Sequence, residues 1–422
     1  MYNRWISRSF VMLLLAAAPA AFGRPASAAR AINALGLELL AKGTAPQDNA
    51  LLSPYSIQTA LAMTFAGAAG DTRAEMAKVL HFTGDEAELH ASFAALQQAL
   101  AEVARRTAEQ AEQAKRFGGG GDPVSLTVAN RLFGQAGYEF REPFLTMVKD
   151  TYGAPFQPMD FIKKAGAATK EINDWVEQRT RQRIRDLIPA GGLDRETRLV
   201  LVNAIYLKAP WMEVFPEHAT KPAPFHLAGG AAQDAPMMVR QGHFGYARGE
   251  GYSAITIPYT GGDLQFLVLL PDALDGLAAL ETKLTPDQLA ACASTKSTDV
   301  ILHLPKFRME PPLFRLGKVL QALGMKSAFD QPKGSANFDR LAPRKPEDYL
   351  FISEVFHKTF LDLDEKGTEA AAATAVVMAR ATAMLMDPPK PIEVRVDHPF
   401  LFAIQHRPSG ACLFVGRITR PR

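Results

Sequence analysis

Apolar residues recur at helical spacing over residues 32–41, 57–66, 73–80 and 89–106, and this spacing predicts amphipathic helices through the first quarter of the chain. From 105 to 122 the pattern turns polar and ends in Gly118-Gly119-Gly120-Gly121, which reads as a flexible, linker-like insert. Alternation over 124–133 predicts a strand, and helical periodicity returns over 169–187. Beyond 199 strands dominate, at 199–207, 254–258, 264–270, 299–305 and 393–396. A hairpin pattern over 401–405 and 412–418 closes the chain. A helical first half followed by a strand-rich second half argues for an α+β fold rather than βαβ alternation.

The stretch Glu365-Lys366-Gly367-Thr368-Glu369-Ala370-Ala371-Ala372-Ala373-Thr374 is small, almost uncharged after Glu369, and part of a proline-free run from 365 to 386. By propensity alone, 369–375 is an Ala-rich helix. Gly367-Thr368 at its entry and Val376-Val377 at its end suit an extended chain instead. Such a segment can stay outside as a mobile loop or enter a sheet as a central strand, because no missing donor or bulky charge bars it. As a strand it would turn Thr368, Ala370, Ala372, Thr374 and Val376 to one face. Glu369 would then fall on the opposite face, which is expected to be the solvent side.

Charged residues are 22% of 422 and the formal net charge is +3, so bulk charge makes no case for nucleic-acid binding. Arg4 and Arg8 precede the apolar run 10–18, with small residues at Ala20-Ala21 and Ala26-Ser27-Ala28, the pattern of an export signal spanning 1–28. A cut after Ala28 would leave Ala29 first, and a cut nearer Ala21 is the alternative. The run is shorter than the roughly 20 residues of a spanning helix; an uncleaved anchor is the bland reading. The mature protein is expected to be exported, periplasmic or extracellular, with no membrane span. Cys292 and Cys412 are the only cysteines, and Cys412 sits in an apolar run that predicts a buried free thiol. No H-E-x-x-H, C-x-x-C, G-x-S-x-G or complete phosphate loop occurs, so no catalytic residue, metal or cofactor is expected. Arg179, Arg181, Arg183 and Arg185 could bind polyanions, but their alternate spacing spreads them around a helix and favours a solvated charged surface.

Several segments, in order, resemble the serpin family of conformational-trap protease inhibitors. They are Asn49-Ala50-Leu51-Leu52-Ser53-Pro54-Tyr55-Ser56-Ile57, Ile172-Asn173-Asp174-Trp175-Val176-Glu177 and Val202-Asn203-Ala204-Ile205-Tyr206-Leu207-Lys208-Ala209-Pro210-Trp211. Leu304-Pro305-Lys306-Phe307, His357-Lys358, the 365–374 hinge, Asp397-His398-Pro399-Phe400 and Phe414-Val415-Gly416-Arg417 follow. The resemblance implies one domain over 29–422, with helices around three mostly antiparallel β-sheets and an exposed reactive-centre loop at 365–392. It implies a polar cluster under the main sheet from Ser53, Ser56, Asn203 and His357. At the top of that sheet it implies an ion pair of Glu365 with Lys306, beside Trp211. The implied function is suicide-substrate inhibition of serine proteases by a monomer, through a covalent acyl complex, with cysteine proteases as secondary targets. A non-inhibitory binding or storage protein on the same fold is the alternative. The family's hinge count of sixteen residues puts the reactive bond at Ala381-Thr382, with Arg380 as the neighbouring alternative.

Overall fold

Helices come first, at Arg24–Gly43, Pro54–Gly67, Gly70–Val79, Glu86–Arg116, Glu142–Tyr152 and Phe161–Arg179. The structure, a computed structural model, describes residues 24–369 and 390–422. Pro54–Gly67 shows how local sequence starts a core helix. Ser53 accepts from the Ser56 N–H at 3.2 Å as N-cap, and Pro54 fills the first helical position, where its missing donor costs nothing. The helix is buried along nearly its whole length beneath the strands.

Among the described residues the strands form three sheets. The largest runs Ala50–Leu52, Ala411–Ile418, Phe400–His406, Leu264–Pro271, Tyr252–Pro258, Ala232–Gly249, Lys296–Pro305 and Ile392–Arg395, with Lys221–His226 also paired to Ala232–Gly249. The second has the order Phe307–Met309, Leu361–Asp364, Gly367–Thr368, Leu199–Pro210, Ser125–Gln135 and Phe156–Met159. A small third sheet joins Phe314–Arg315 to Phe356–His357. The pairs are antiparallel except Ser125–Gln135 with Phe156–Met159 and Lys296–Pro305 with Ile392–Arg395. This is the expected α+β architecture. One core lies between the sheets and the early helices, and a smaller one lies between Phe161–Arg179 and the outer face of the second sheet.

Several boundaries differ from the sequence reading. The polar stretch from 105 is not an insert until after Arg116, because Glu86–Arg116 continues as one helix. Beyond Thr107 that helix buries nothing, so its sequence is polar for lack of a neighbour. Arg105 pairs with Glu102 and Glu109, and Lys115 with Glu112, at helical spacing. The helix expected over 169–187 starts earlier, where Asp160 accepts from the Lys163 N–H at 3.1 Å, and ends at Arg179. Glu142–Tyr152 and the strand Ala232–Gly249 were not evident in the pattern; that strand alternates buried and exposed positions only in part. Ala28 and Ala29 are buried inside the first helix, so a processing point between them would fall within a packed element. No helix among the described residues is long and apolar enough to cross a membrane. Cys292 and Cys412 are both buried free thiols.

Candidate functional site

The chain turns at the top of the second sheet through Asp364-Glu365-Lys366-Gly367. Asp364 builds this turn itself: its Oδ1 accepts the N–H groups of Lys366 at 2.8 Å and Gly367 at 3.2 Å. Three of the turn's carbonyls are taken. Asp364 O accepts from Trp211 Nε1 at 2.9 Å, Glu365 O from Phe215 N at 2.9 Å, and Lys366 O from Trp211 N at 2.8 Å. Gly367 must be glycine, since its φ is 148° and a Cβ there would lie 2.2 Å from Ala209 O.

Glu365 lies 2.8 Å from Lys306 Nζ and accepts from Thr220 Oγ1 at 2.8 Å. Burial would raise its carboxyl, but the hydrogen bonds from Lys306, its own backbone and Thr220 outweigh that and hold it below the usual range. Two residues of the hinge are already strand. Gly367 and Thr368 pair with Pro210 and Ala209 on one side and with Asp364 and Leu363 on the other. Thr368 is buried, its hydroxyl 2.5 Å from the Tyr259 hydroxyl, and Tyr259 stacks on Trp211 at 4.6 Å. Glu369 does not face solvent as expected. Its side chain is 11% exposed and accepts from Arg183 Nε, because the chain bends away at this residue with φ 49°.

Beneath the sheet's centre, Ser53, Ser56, Asn203 and His357 come together. Ser53 N–H donates to His357 Nε2 at 3.0 Å and Ser53 Oγ donates to Leu413 O at 2.7 Å. Ser56 Oγ donates to Asn203 O at 3.1 Å. Accepting at Nε2 requires a neutral His357, and burial pushes its pKa down to about 3. Asn203 Nδ2 donates to Asn130 Oδ1, while the buried Asn203 Oδ1 has no partner among the described residues. A cleft of about 250 Å³ opens here, lined by Ser56, Val200, Asn203, Ile352 and His357. Below Ala209, the flank of Leu199–Pro210 that faces this cleft pairs with no strand among the described residues.

A family model described as Serpin (serine protease inhibitor) matches residues 30–421. The chain belongs to the serpin family. The leukocyte elastase inhibitor of Bos taurus is 37% identical over 385 residues, covering 89% of this chain and 94% of that protein. Antithrombin-III of Mus musculus is 34% identical over 390 residues, covering 90% of this chain and 78% of that protein. Among solved structures, cleaved Serpin 42Da has a TM-score of 0.78 at 33% identity, covering 94% of this chain and 99% of that one. Uncleaved ovalbumin has a TM-score of 0.76 at 27% identity, covering 94% of this chain and 100% of that one.

In this serpin the structure thus brings Glu365, Lys306 and Trp211 together at one end of the sheet and Ser53, Ser56, Asn203 and His357 at its middle. Ala370, Ala371, Ala372, Ala373 and Thr374 of the hinge lie outside the described residues, as do Arg380, Ala381 and Thr382. Sequence reading missed Asn130, Tyr259, Thr220 and Arg183. The first is an unremarked strand asparagine and the next two sit outside any motif. Arg183 was read as part of a charged helix, whereas Arg181 and Arg183 lie past the helix end and fold back onto Tyr206 and Phe360.

Proposed function

We propose that this serpin is a suicide-substrate inhibitor of serine proteases. The observation that carries the reading is the position of Gly367 and Thr368, paired on both sides at the head of a flank that is otherwise open among the described residues. Continuing that register, each further hinge residue steps one position down Leu199–Pro210. Thr374 would then stand opposite Asn203 on one side and His357 on the other. Its hydroxyl would face inward, on the side of the orphaned Asn203 Oδ1. An inserted hinge would satisfy an acceptor that has no partner among the described residues.

Chemistry in this reading comes from the protease. Its serine Oγ attacks the Ala381 carbonyl carbon, the bond to the Thr382 nitrogen breaks, and the proton passes through the protease histidine to the departing amine. The hinge, released from its far end, enters the sheet and carries the acylated protease with it before water can cleave the ester. About 15 inserted residues at ~3.3 Å each would move it roughly 50 Å. A small residue at Ala381 suits an elastase-like pocket, and the relatives named leukocyte elastase inhibitor support that class. Arg380 is the competing residue and would direct the loop to trypsin-like enzymes. Export belongs to the same reading, and the burial of Ala28 and Ala29 supports processing nearer Ala21.

Incubation with elastase, trypsin and subtilisin tests the proposal. The expected result is an SDS-stable complex with elastase and a cut after Ala381 by mass spectrometry. Strong trapping of trypsin that vanishes in Arg380→Ala, with elastase never trapped, would move the bond to Arg380. Cleavage by all three enzymes without any complex would leave a substrate, and the non-inhibitory binding or storage reading would replace this one.

A further inference from the structure

We propose that the end of helix Glu86–Arg116 and the glycines after it form a cleavage site for trypsin-like proteases, with Arg116 as the residue that fills their specificity pocket. The site is separate from the reactive-centre loop and does not rest on the inhibitor reading. Residues 108–123 leave the body of the protein as a finger. Its outgoing arm is the last turns of the helix, which bury nothing beyond Thr107. At the tip Arg116 is the last helical residue, Phe117 is 90% exposed, and Gly118 turns the chain back with φ 75°. The tip is held by its own backbone, with the N–H groups of Phe117 and Gly119 donating to Ala114 O at 3.0 Å and 2.9 Å. The ion pair of Lys115 with Glu112 is exposed on both sides, and solvent screening leaves it worth little.

A protease takes the bond it cuts in an extended chain, so Arg116 is presented once the last helical turns unwind. Unwinding here loses no buried surface, and segments of that kind open at the low end of local stability. Gly118-Gly119-Gly120-Gly121 supplies slack beyond the bond, with no side chain to obstruct a cleft. The Arg116 guanidinium suits a pocket with a carboxylate at its base. The roots of the finger stay in place. Thr107 is buried, and its hydroxyl donates to Val103 O at 2.9 Å and accepts from the Val124 N–H at 3.2 Å. Asp122 pairs with Lys208 at 2.8 Å, and Arg106 reaches Asp263. Further in, Gln97 of the helix and Asn130 of the strand Ser125–Gln135 both donate to Tyr152 O, at 3.2 Å and 2.8 Å. Hydrolysis adds water across the Arg116–Phe117 amide, leaving a carboxylate on Arg116 and an amine on Phe117. It severs the covalent link between helix and strand while these contacts hold both, so the product is a nicked but folded protein.

Limited digestion of the full chain with trypsin tests the site, with new N-termini mapped by mass spectrometry. Outside 365–392, the first cut is expected between Arg116 and Phe117, and the two pieces should co-elute in gel filtration and unfold together. Lys115→Gln combined with Arg116→Gln should slow that cut by more than about tenfold, because a pocket built for a charged partner rejects a chain that lacks it. Cutting within the loop should be unchanged in the same variant. A first cut elsewhere outside the loop, pieces that separate under native conditions, or an unslowed double variant would overturn the site. Trapping or cutting at the loop is read on different fragments and decides the inhibitor reading alone.

Discussion

Thr368 is the residue on which insertion would begin in the proposed mechanism, and its surroundings are already formed in the intact chain. It is 1% exposed, paired through its backbone on both edges, with its hydroxyl against the buried Tyr259. Burial pushes the Tyr259 hydroxyl far above its ordinary value, so the site offers a neutral phenol and no carboxylate. Thr368→Arg would put a guanidinium where no counter-charge stands, and an unpaired buried charge costs about 3–5 kcal/mol. The hinge should be expelled, insertion should slow, and hydrolysis of the acyl-enzyme should win. The expected outcome is loss of SDS-stable complex and accumulation of cleaved protein. Full complex formation by the variant would show that insertion does not start at this residue.

Between elements, a single buried hydrogen bond ties the helix Pro54–Gly67 to the segment carrying His357. Ser53 N–H enters a ring nitrogen that must be unprotonated. The unfolded chain takes up a proton near the ordinary value of 6.5, whereas the folded His357 waits until about 3. Stability from this group is therefore complete above 6.5 and falls between 6.5 and 3, by at most ~1.4 kcal/mol per pH unit. His406, pushed down to about 4 by burial, adds a slope of the same sign. His357→Gln keeps an acceptor for Ser53 and removes the titration. Its melting temperature should fall less steeply from pH 6.5 to pH 5 than that of the parent, and parallel slopes would sink the assignment. The periodic signals marked the core well: Pro54–Gly67, Leu264–Pro271 and Ala411–Ile418 lie where apolar patterns put them. Polar elements were hidden for the opposite reason. The end of Glu86–Arg116 has no neighbour to impose an apolar face, and the Arg183 turn is set by contacts with residues far away in sequence. No local pattern records such contacts.

At the scale of the whole molecule, the chain leaves the second sheet after Thr368 and joins the first at Ile392, paired in parallel with Lys296–Pro305. A loop tied at both ends cannot supply a long strand to the open flank. Cutting it frees the upstream arm. In the observed register, ten more residues carry the pairing from Thr368 opposite Ala209 to Met378 opposite Leu199, the full length of that strand. Ladder bonds worth about 1 kcal/mol each would add roughly 10 kcal/mol. Set against an unfolding entropy near 2 cal/mol/K per residue, that is a rise in melting temperature on the order of 10 °C for a chain of this size. The intact form would then persist because conversion is slow, and its lifetime would be a rate rather than an equilibrium. Melting the intact protein beside the same protein nicked once in the loop checks this directly. The nicked form should melt higher; equal or lower melting would mean that the flank does not take up the hinge, and the trap would lose its source of energy.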